Sequence, residues 1–210
     1  MKTSLTFKGL ALGLVIATLV PAMALAGGGT FQSANALIFG TDTAVAGGAT
    51  LIRHGNSIHL RVAMSGLDAD SVYSAWYIIF NKPNKCADGP GNCGLVDIAN
   101  PAVKAAVLNA GGFLTGNDSV GYFTGTLNTG RAPAGMCCFG NLKSGFSSEV
   151  HVLLQTHGPA VPGSVNGQLS IPAFECNAPA DCGNADQFAF VFPATKGGHD
   201  SDSDSDSDSD

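Results

Sequence analysis

Charge is scarce in this sequence, and so are long apolar segments beyond its first 26 residues. Asp, Glu, Lys and Arg together make up 12% of the 210 residues. Six of the 16 acidic residues are aspartates of the last eleven positions, so the ten that remain balance the ten Lys and Arg residues. A chain that is neutral before its tail and has no basic cluster is not expected to bind nucleic acid. No later segment is long and apolar enough to cross a membrane.

The common sequence motifs of catalysis are absent as well. The chain has no G-x-S-x-G segment for a nucleophilic serine, no C-x-x-C or H-x-H pair, and no glycine-rich loop followed by the lysine of a phosphate site. Most of the acidic residues before the tail lie in apparent turns, where they are expected to cap the backbone rather than to form a catalytic pair. The sequence therefore predicts that the protein is not an enzyme.

The amino-terminal segment has the three parts of a secretory signal peptide. Lys2 and Lys8 supply positive charge, residues 9–20 are uncharged and mostly apolar, and Ala24-Leu25-Ala26 is a small-x-small cleavage pattern. An apolar segment of about a dozen residues is short for a membrane span. We therefore expect residues 1–26 to be removed on export, and the mature chain to be periplasmic or extracellular.

Six cysteines are present, and an even number in an exported chain indicates disulfide bonds. Two pairs flank short loops and the remaining two cysteines are adjacent: Cys86 with Cys93, Cys176 with Cys182, and Cys137 with Cys138. Closure of each loop by its own pair is the favoured arrangement. The alternative joins the adjacent pair to one cysteine of each loop. Zinc ligation is not favoured, because the C-x-x-C spacing is missing.

Strand-sized segments separated by turn residues predict an all-β fold. Residues 57–65 alternate apolar with polar side chains, as in a strand with one buried face, and Gly55-Asn56 before them is typical of a hairpin turn. Residues 72–80 form an apolar run that is typical of a strand buried on both faces. The aromatic side chains of this run are expected in the core rather than in a binding groove.

One short helix is predicted at residues 102–108, because Asn100 is a good N-cap and Pro101 suits the first helical position. The predicted fold is an antiparallel, Greek-key-like β-sandwich over residues 27–198, with this helix and with disulfide-stapled loops. Residues 199–210 form a Ser-Asp tail that repels itself and is expected to be disordered. Its carboxylates are expected to attract Ca²⁺ weakly, since the residues of an EF-hand loop are missing.

Two stretches resemble chordin-type (CHRD) domains. Ser65-Gly66-Leu67 before an apolar strand is similar to the Ser-Gly-Leu stretch of these domains, and residues 156–169 resemble their closing stretch. The H-G-P-A-x-P-G pattern of residues 157–163 is also similar to a group of exported bacterial proteins. The resemblance implies a secreted β domain with no generally assigned chemistry. It does not transfer a metal role, because Ala75-Trp76-Tyr77 stands where these domains usually have His-x-His.

Three histidines are the candidates for a site, namely His59, His151 and His157. The last two are six residues apart, so on a regular strand they share a face at a separation of about 20 Å. A bend at Gly158 would bring them closer, and His59 of another strand would have to lie beside one of them. Such a cluster would bind copper or zinc. The alternative is that His59 and His151 are surface or cross-strand polar residues, and that His157 hydrogen-bonds the turn.

Two classes of function follow from these patterns. The favoured class is an exported, non-catalytic binding or structural module of unknown ligand, associated with the cell envelope or part of an extracellular assembly. The alternative class is an exported copper- or zinc-binding protein that uses the three histidines. Self-assembly is a further possibility, in which residues 27–33 add a strand to a neighbouring copy.

Overall fold

The computed structural model of the chain describes residues 23–25, 28–39, 45–132, 140–170 and 187–195. These residues form ten strands, two short helices, and a 3₁₀ turn at Pro83–Lys85. The helices are α1 (Leu95–Ile98) and α2 (Val165–Ser170). The strands are β1 (Met23–Leu25), β2 (Gly29–Asn35), β3 (Leu37–Phe39), β4 (Ala46–His54), β5 (Ser57–Ser65), β6 (Ser71–Phe80), β7 (Ala105–Leu114), β8 (Val120–Asn128), β9 (Glu149–Pro159) and β10 (Gln187–Phe192).

The strands form two antiparallel sheets of five strands each. Sheet A has the order β1-β2-β4-β5-β8, and sheet B has the order β3-β10-β9-β6-β7. Between described strands the chain passes from one sheet to the other five times: before and after β3, between β5 and β6, between β7 and β8, and between β8 and β9. The predicted antiparallel β-sandwich is therefore confirmed.

The main core lies between the sheets and is built from alternating residues. The apolar side chains of β5 that face sheet B are buried, whereas Arg61 and Ala63 between them are exposed on the other face. The predicted half-buried strand at residues 57–65 and the hairpin turn before it are confirmed by the pairing of β5 with β4. Buried side chains from the two sheets meet in this core, among them Ile58, Leu60, Val62, Met64, Tyr73, Tyr77, Phe188, Phe190 and Phe192.

Sheet B is covered on both of its faces. All ten residues of β6 are buried, as predicted for residues 72–80. On the outer face, Ile78 and Phe80 pack against a second apolar cluster that includes the Cys86–Cys93 disulfide and Val103. Farther along the same face, α2 packs on β6 and β7. The outer face of sheet B is therefore closed to large ligands over these two regions.

One predicted disulfide is present. Cys86 and Cys93 are bonded to each other, which confirms closure of this loop by its own pair and excludes the alternative in which one of them joins Cys137 or Cys138. The other cysteine positions, including the predicted pair Cys176 and Cys182, lie outside the described residues. So does the acidic tail.

The predicted helix at residues 102–108 is wrong. The Asn100 side chain accepts a hydrogen bond from the Ala102 N–H at 3.0 Å, and Lys104 has a positive φ of 53°, so the segment turns instead of coiling. From Ala105 onward the chain pairs with β6. Good helix formers are overridden here by the backbone bonds and apolar contacts that β7 gains in the sheet. A short helix does form just before this segment: α1, at whose start the Asp97 side chain accepts the Gly94 N–H at 2.8 Å.

Residues 27–33, the segment predicted to add a strand to a neighbouring copy, are described from Gly28 onward. Residues 30–35 of β2 pair with β4 of the same chain, so this segment completes its own sheet. The short strand β1 lies within the predicted signal peptide and pairs only with residues 29–31. Cleavage after Ala26 would therefore leave the pairing of β2 with β4 intact. No helix in the described ranges is long and apolar enough to cross a membrane.

Arg53 closes one end of the sandwich with a fully buried guanidinium group. Burial lowers its pKa to about 10, and the negative charge of Glu149 offsets part of this shift. The group therefore stays protonated at neutral pH. It donates hydrogen bonds to one side chain and four carbonyl groups, which belong to Gln32, Gly145, Ser148, Phe192 and Pro193. One side chain thus joins β2 and β4 of sheet A to the end of β10 in sheet B.

Candidate functional site

His59 lies on the outer face of sheet A. Its Nδ1 atom is 2.9 Å from Oγ1 of Thr126, its neighbour across the β5–β8 pair. The ring of His54 stands edge-on to it at a centroid distance of 5.5 Å. This contact agrees with the interpretation of His59 as a cross-strand polar residue.

His151 lies on the outer face of sheet B and contacts a buried carboxylate. Its Nε2 atom is 2.7 Å from Oε1 of Glu149, two residues earlier on the same face, and its ring stands edge-on to Phe80 at 5.0 Å. Glu149 is fully buried and also accepts the backbone N–H groups of Gly91 at 2.6 Å and Cys93 at 3.1 Å. This pair of side chains therefore fixes the disulfide loop to sheet B.

His157 is buried beneath α2. Its Nε2 atom is 2.8 Å from the Ser74 hydroxyl, which also accepts the indole N–H of Trp76 at 2.8 Å. The Gln168 side chain donates to the carbonyl groups of His157 at 3.4 Å and Pro159 at 3.0 Å, so α2 is tied to the turn after β9. The His157 side chain therefore contacts β6, and its carbonyl group contacts α2.

The Ser74–His157 pair has the spacing of a nucleophile and its base, which sequence reasoning missed because the two residues are 83 positions apart. Ser74 is fully buried and His157 is 1% exposed. The hydroxyl is also engaged by Trp76, whose indole N–H points at the atom that would attack a substrate. The arrangement therefore has the character of a buried hydrogen-bond network.

The structure does not bring the three histidines together. His59 lies on the outer face of sheet A, whereas His151 and His157 lie on the opposite side of the sandwich, in sheet B. A shared copper or zinc ion requires ligand atoms within about 4 Å of one point, and the three histidines do not meet this condition.

Another group of metal-ligand residue types, Cys86, Cys93 and Asp97, has its ligand atoms close together. These sulfur atoms are bonded to each other, and both Asp97 oxygens accept backbone N–H groups.

The outer face of sheet A is the open surface of the described structure. Cross-strand neighbours place Ile52, His59 and Thr126 in one row, and Thr50, Arg61 and Thr124 in the next. A depression of about 330 Å³ lies over these rows. Its lining comes from three neighbouring strands and consists of Ile52, His59, Leu60, Arg61, Thr124, Gly125 and Thr126.

This face combines positive charge with hydroxyl groups. Arg61 is exposed and carries five N–H donors, and Thr124 and Thr126 are exposed beside it. Tyr122, in the next row along β8, is 73% exposed and presents an aromatic ring. Strands β2, β4, β5 and β8 contain no Asp or Glu. The surface can therefore bind an anionic ligand with hydrogen-bond acceptors, and it is shaped for an extended ligand rather than for a small enclosed one.

The sequence predicts part of this face but not all of it. The alternation of β5 predicts that His59, Arg61 and Ala63 lie on one exposed face. The T-G-T segment at residues 124–126 places two threonines on a common face, but only the pairing register shows that they stand beside Arg61 and His59.

Comparison of the chain with known protein families, characterised proteins and solved structures gives no match.

Proposed function

We propose that the protein is an exported, non-catalytic binding module that uses the outer face of sheet A to bind an anionic, hydroxyl-rich polymer. In chemical terms such a ligand is an acidic polysaccharide of a cell envelope or an extracellular matrix. The predicted signal peptide and the resemblance to secreted chordin-type domains support export. The observation that carries the proposal is the open, acid-free face with its Arg61-lined depression, whereas the outer face of sheet B is covered over β6 by the disulfide loop and by α2.

The chemistry of the face matches this class of ligand. The Arg61 guanidinium can donate two parallel hydrogen bonds to a carboxylate or sulfate group. Threonine hydroxyls can donate to and accept from sugar hydroxyls, and Tyr122 can stack on the apolar face of a sugar ring. Because the strip of side chains crosses three strands, neighbouring units of a polymer can be held at the same time.

The proposal is tested by titrating the purified, oxidised chain with polygalacturonate in a calorimeter, with neutral dextran as the comparison ligand. We expect binding of polygalacturonate that weakens as salt is raised, and no binding of dextran. Removal of the charge-assisted hydrogen bonds in an Arg61→Ala variant is expected to weaken binding about tenfold or more.

A matched control is Arg131→Ala, which removes an exposed arginine just beyond the end of β8. Its affinity for polygalacturonate is expected to stay within about twofold of the unmodified chain. Equal losses in the two variants would show that only net charge matters and would refute a site at Arg61. Absence of binding to polygalacturonate at low salt would refute the proposed ligand class.

A further inference from the structure

Strand β8 is an edge of sheet A. It pairs with β5 over its full length, from Ser57 opposite Asn128 to Ser65 opposite Val120, without a shift in register. No other strand of the described ranges pairs with it. One row of its backbone N–H and C=O groups therefore faces away from the sheet.

The hairpin fixes which residues supply this row. His54 and Ser57 close a two-residue turn, so they form a hydrogen-bonded pair and the backbone groups of Ser57 point towards β4. Because backbone groups alternate in direction along a strand, Ile58 and every second residue after it bond to β8. On β8, the residues between the bonded positions direct their N–H and C=O groups outward. These residues are Val120, Tyr122, Thr124, Thr126 and Asn128, whose side chains lie on the outer face of the sheet. At the two ends of the row, the Val120 N–H is bonded to the Asp118 side chain and the Asn128 C=O accepts the Arg131 N–H.

Both edges of sheet B carry devices that limit edge-to-edge association. Strand β3 has three residues. In sheet A the edge opposite β8 is β2 once β1 leaves with the predicted signal peptide, and β2 has seven residues against nine in β8. Strand β7 has a register shift opposite Ala75 and Trp76, and the Asn109 side chain on it is bonded to the Leu169 carbonyl of α2 at 3.2 Å. Strand β8 has none of these features, since its nine residues include no charged residue and no proline. Such an edge favours pairing with another strand.

We propose that β8 pairs with β8 of a second copy of the chain, antiparallel and about a two-fold axis at Thr124. In this register Thr124 faces its own counterpart, and Tyr122 faces Thr126 of the partner subunit. Phe123 faces Gly125 of the partner subunit on the other side of the sheet. Large side chains thus meet small ones, and the outward N–H and C=O groups of Tyr122, Thr124 and Thr126 in the two strands are in position to bond to each other.

Electrostatics permits this pairing. The charged side chain on the outer face nearest to the axis is Arg61, which is one strand in from the edge. In the dimer, three strand spacings of about 4.8 Å would keep the two Arg61 residues roughly 14 Å apart. That separation exceeds the screening length of about 8 Å at physiological ionic strength, so repulsion between them is weak.

A second copy fits this edge better than an unrelated strand because the β8 sequence is complementary to itself about Thr124. The dimer would also join the two outer faces into one continuous sheet surface. Both Arg61-lined depressions would then lie on the same side, where one polymer chain can contact both. Dimerisation stands independently of the ligand, since it requires only the edge of β8.

The test measures the mass of the purified, oxidised chain in solution by light scattering at about 100 µM, where an interface with a Kd of about 10 µM is mostly occupied. We expect a dimer. Thr124→Pro removes one outward N–H without removing a bond to β5. Thr124→Glu places two carboxylates directly opposite each other across the axis, where like charges destabilise the pairing. Both variants are expected to be monomers with an unchanged circular dichroism spectrum.

The matched control is Ala63→Glu, which adds the same charge to the same face one strand in from the edge, and which should remain a dimer. Hydrogen exchange of the unmodified chain gives a readout that does not depend on how the variants fold. Slow exchange of the Tyr122, Thr124 and Thr126 amides is expected at high protein concentration. A monomer at about 100 µM, or fast exchange at these three amides, would overturn the proposal.

Discussion

Tyr77 carries one of the two buried side-chain polar atoms that have no hydrogen-bond partner in the described structure, the other being Oδ1 of Asn141. The Tyr77 hydroxyl is buried in the core. The group occupies the space left by the missing side chain of Gly125, since a Cβ atom at that glycine would lie 2.7 Å from the hydroxyl oxygen. Burial raises the pKa of Tyr77 above its usual value of 10, because the charged phenolate would lose its hydration.

The variant Tyr77→Phe is expected to be as stable as the unmodified chain or more stable by about 1 kcal/mol at pH 7. A buried hydroxyl without a partner costs its hydration, and phenylalanine removes that cost. The measurement is the free energy of unfolding in urea. A loss of 2 kcal/mol or more, as roughly expected when a bonded buried hydroxyl is deleted, would show that Tyr77 has a partner in solution.

The pH dependence of the same pair of proteins gives a second, independent prediction. Below pH 10 the tyrosine is neutral in both the folded and the unfolded state. Above pH 10 it ionises in the unfolded state alone, so the unmodified chain loses stability relative to Tyr77→Phe by about 1.4 kcal/mol per pH unit. Unfolding curves between pH 9 and 11 measure this difference. A constant difference over that range would contradict a raised pKa.

At the scale of elements, the disulfide loop is held to sheet B by Glu149. The carboxylate bonds to two backbone N–H groups of the loop as well as to His151. In Glu149→Gln one oxygen becomes an NH₂ group that must face a donor. We expect the free energy of unfolding of the oxidised chain to fall by about 2 kcal/mol, measured in urea.

The control for this prediction is Asp88→Asn, which makes the same change of charge at an exposed position of the same loop. Its unfolding free energy is expected to stay within about 0.5 kcal/mol of the unmodified chain. If both variants unfold alike, Glu149 does not anchor the loop.

The sequence predicts elements well where local pattern and tertiary environment agree. The alternation in residues 57–65, the Gly55-Asn56 turn and the apolar run at residues 72–80 each have one physical reading, and each is confirmed. The Cys86–Cys93 loop is confirmed for the same reason, because its two cysteines are close in sequence. Residues 102–108 fail because helix propensity is local, whereas the pairing of β7 with β6 is not.

The contacts of the candidate site could be predicted only in part. Glu149 and His151 are two residues apart on β9 and so lie on one face of the strand, where their side chains are in contact. The partners of Glu149 in the loop are 56 and 58 positions away, and no local pattern indicates them. Separation of His59 from the other two histidines likewise depends on which sheet each strand joins.

At the scale of the whole molecule, the acidic tail affects the proposed binding by charge alone. Residues 199–210 contain six of the 16 acidic residues of the chain. These carboxylates repel an anionic polymer, so deletion of the tail is expected to raise affinity for polygalacturonate severalfold at low salt and to have little effect at high salt. Calorimetry at two salt concentrations measures both values. An affinity that falls on deletion would show that the tail itself takes part in binding.

The most direct measurement is a map of amide chemical shifts by NMR as polygalacturonate is added to the oxidised chain. The proposed function requires the largest shifts at His59, Arg61, Thr124 and Thr126, and small shifts in α2 and the disulfide loop on the other side of the sandwich. Shifts centred on α2 or on residues 86–93 would place the ligand on sheet B and contradict the assignment of the outer face of sheet A as the binding surface.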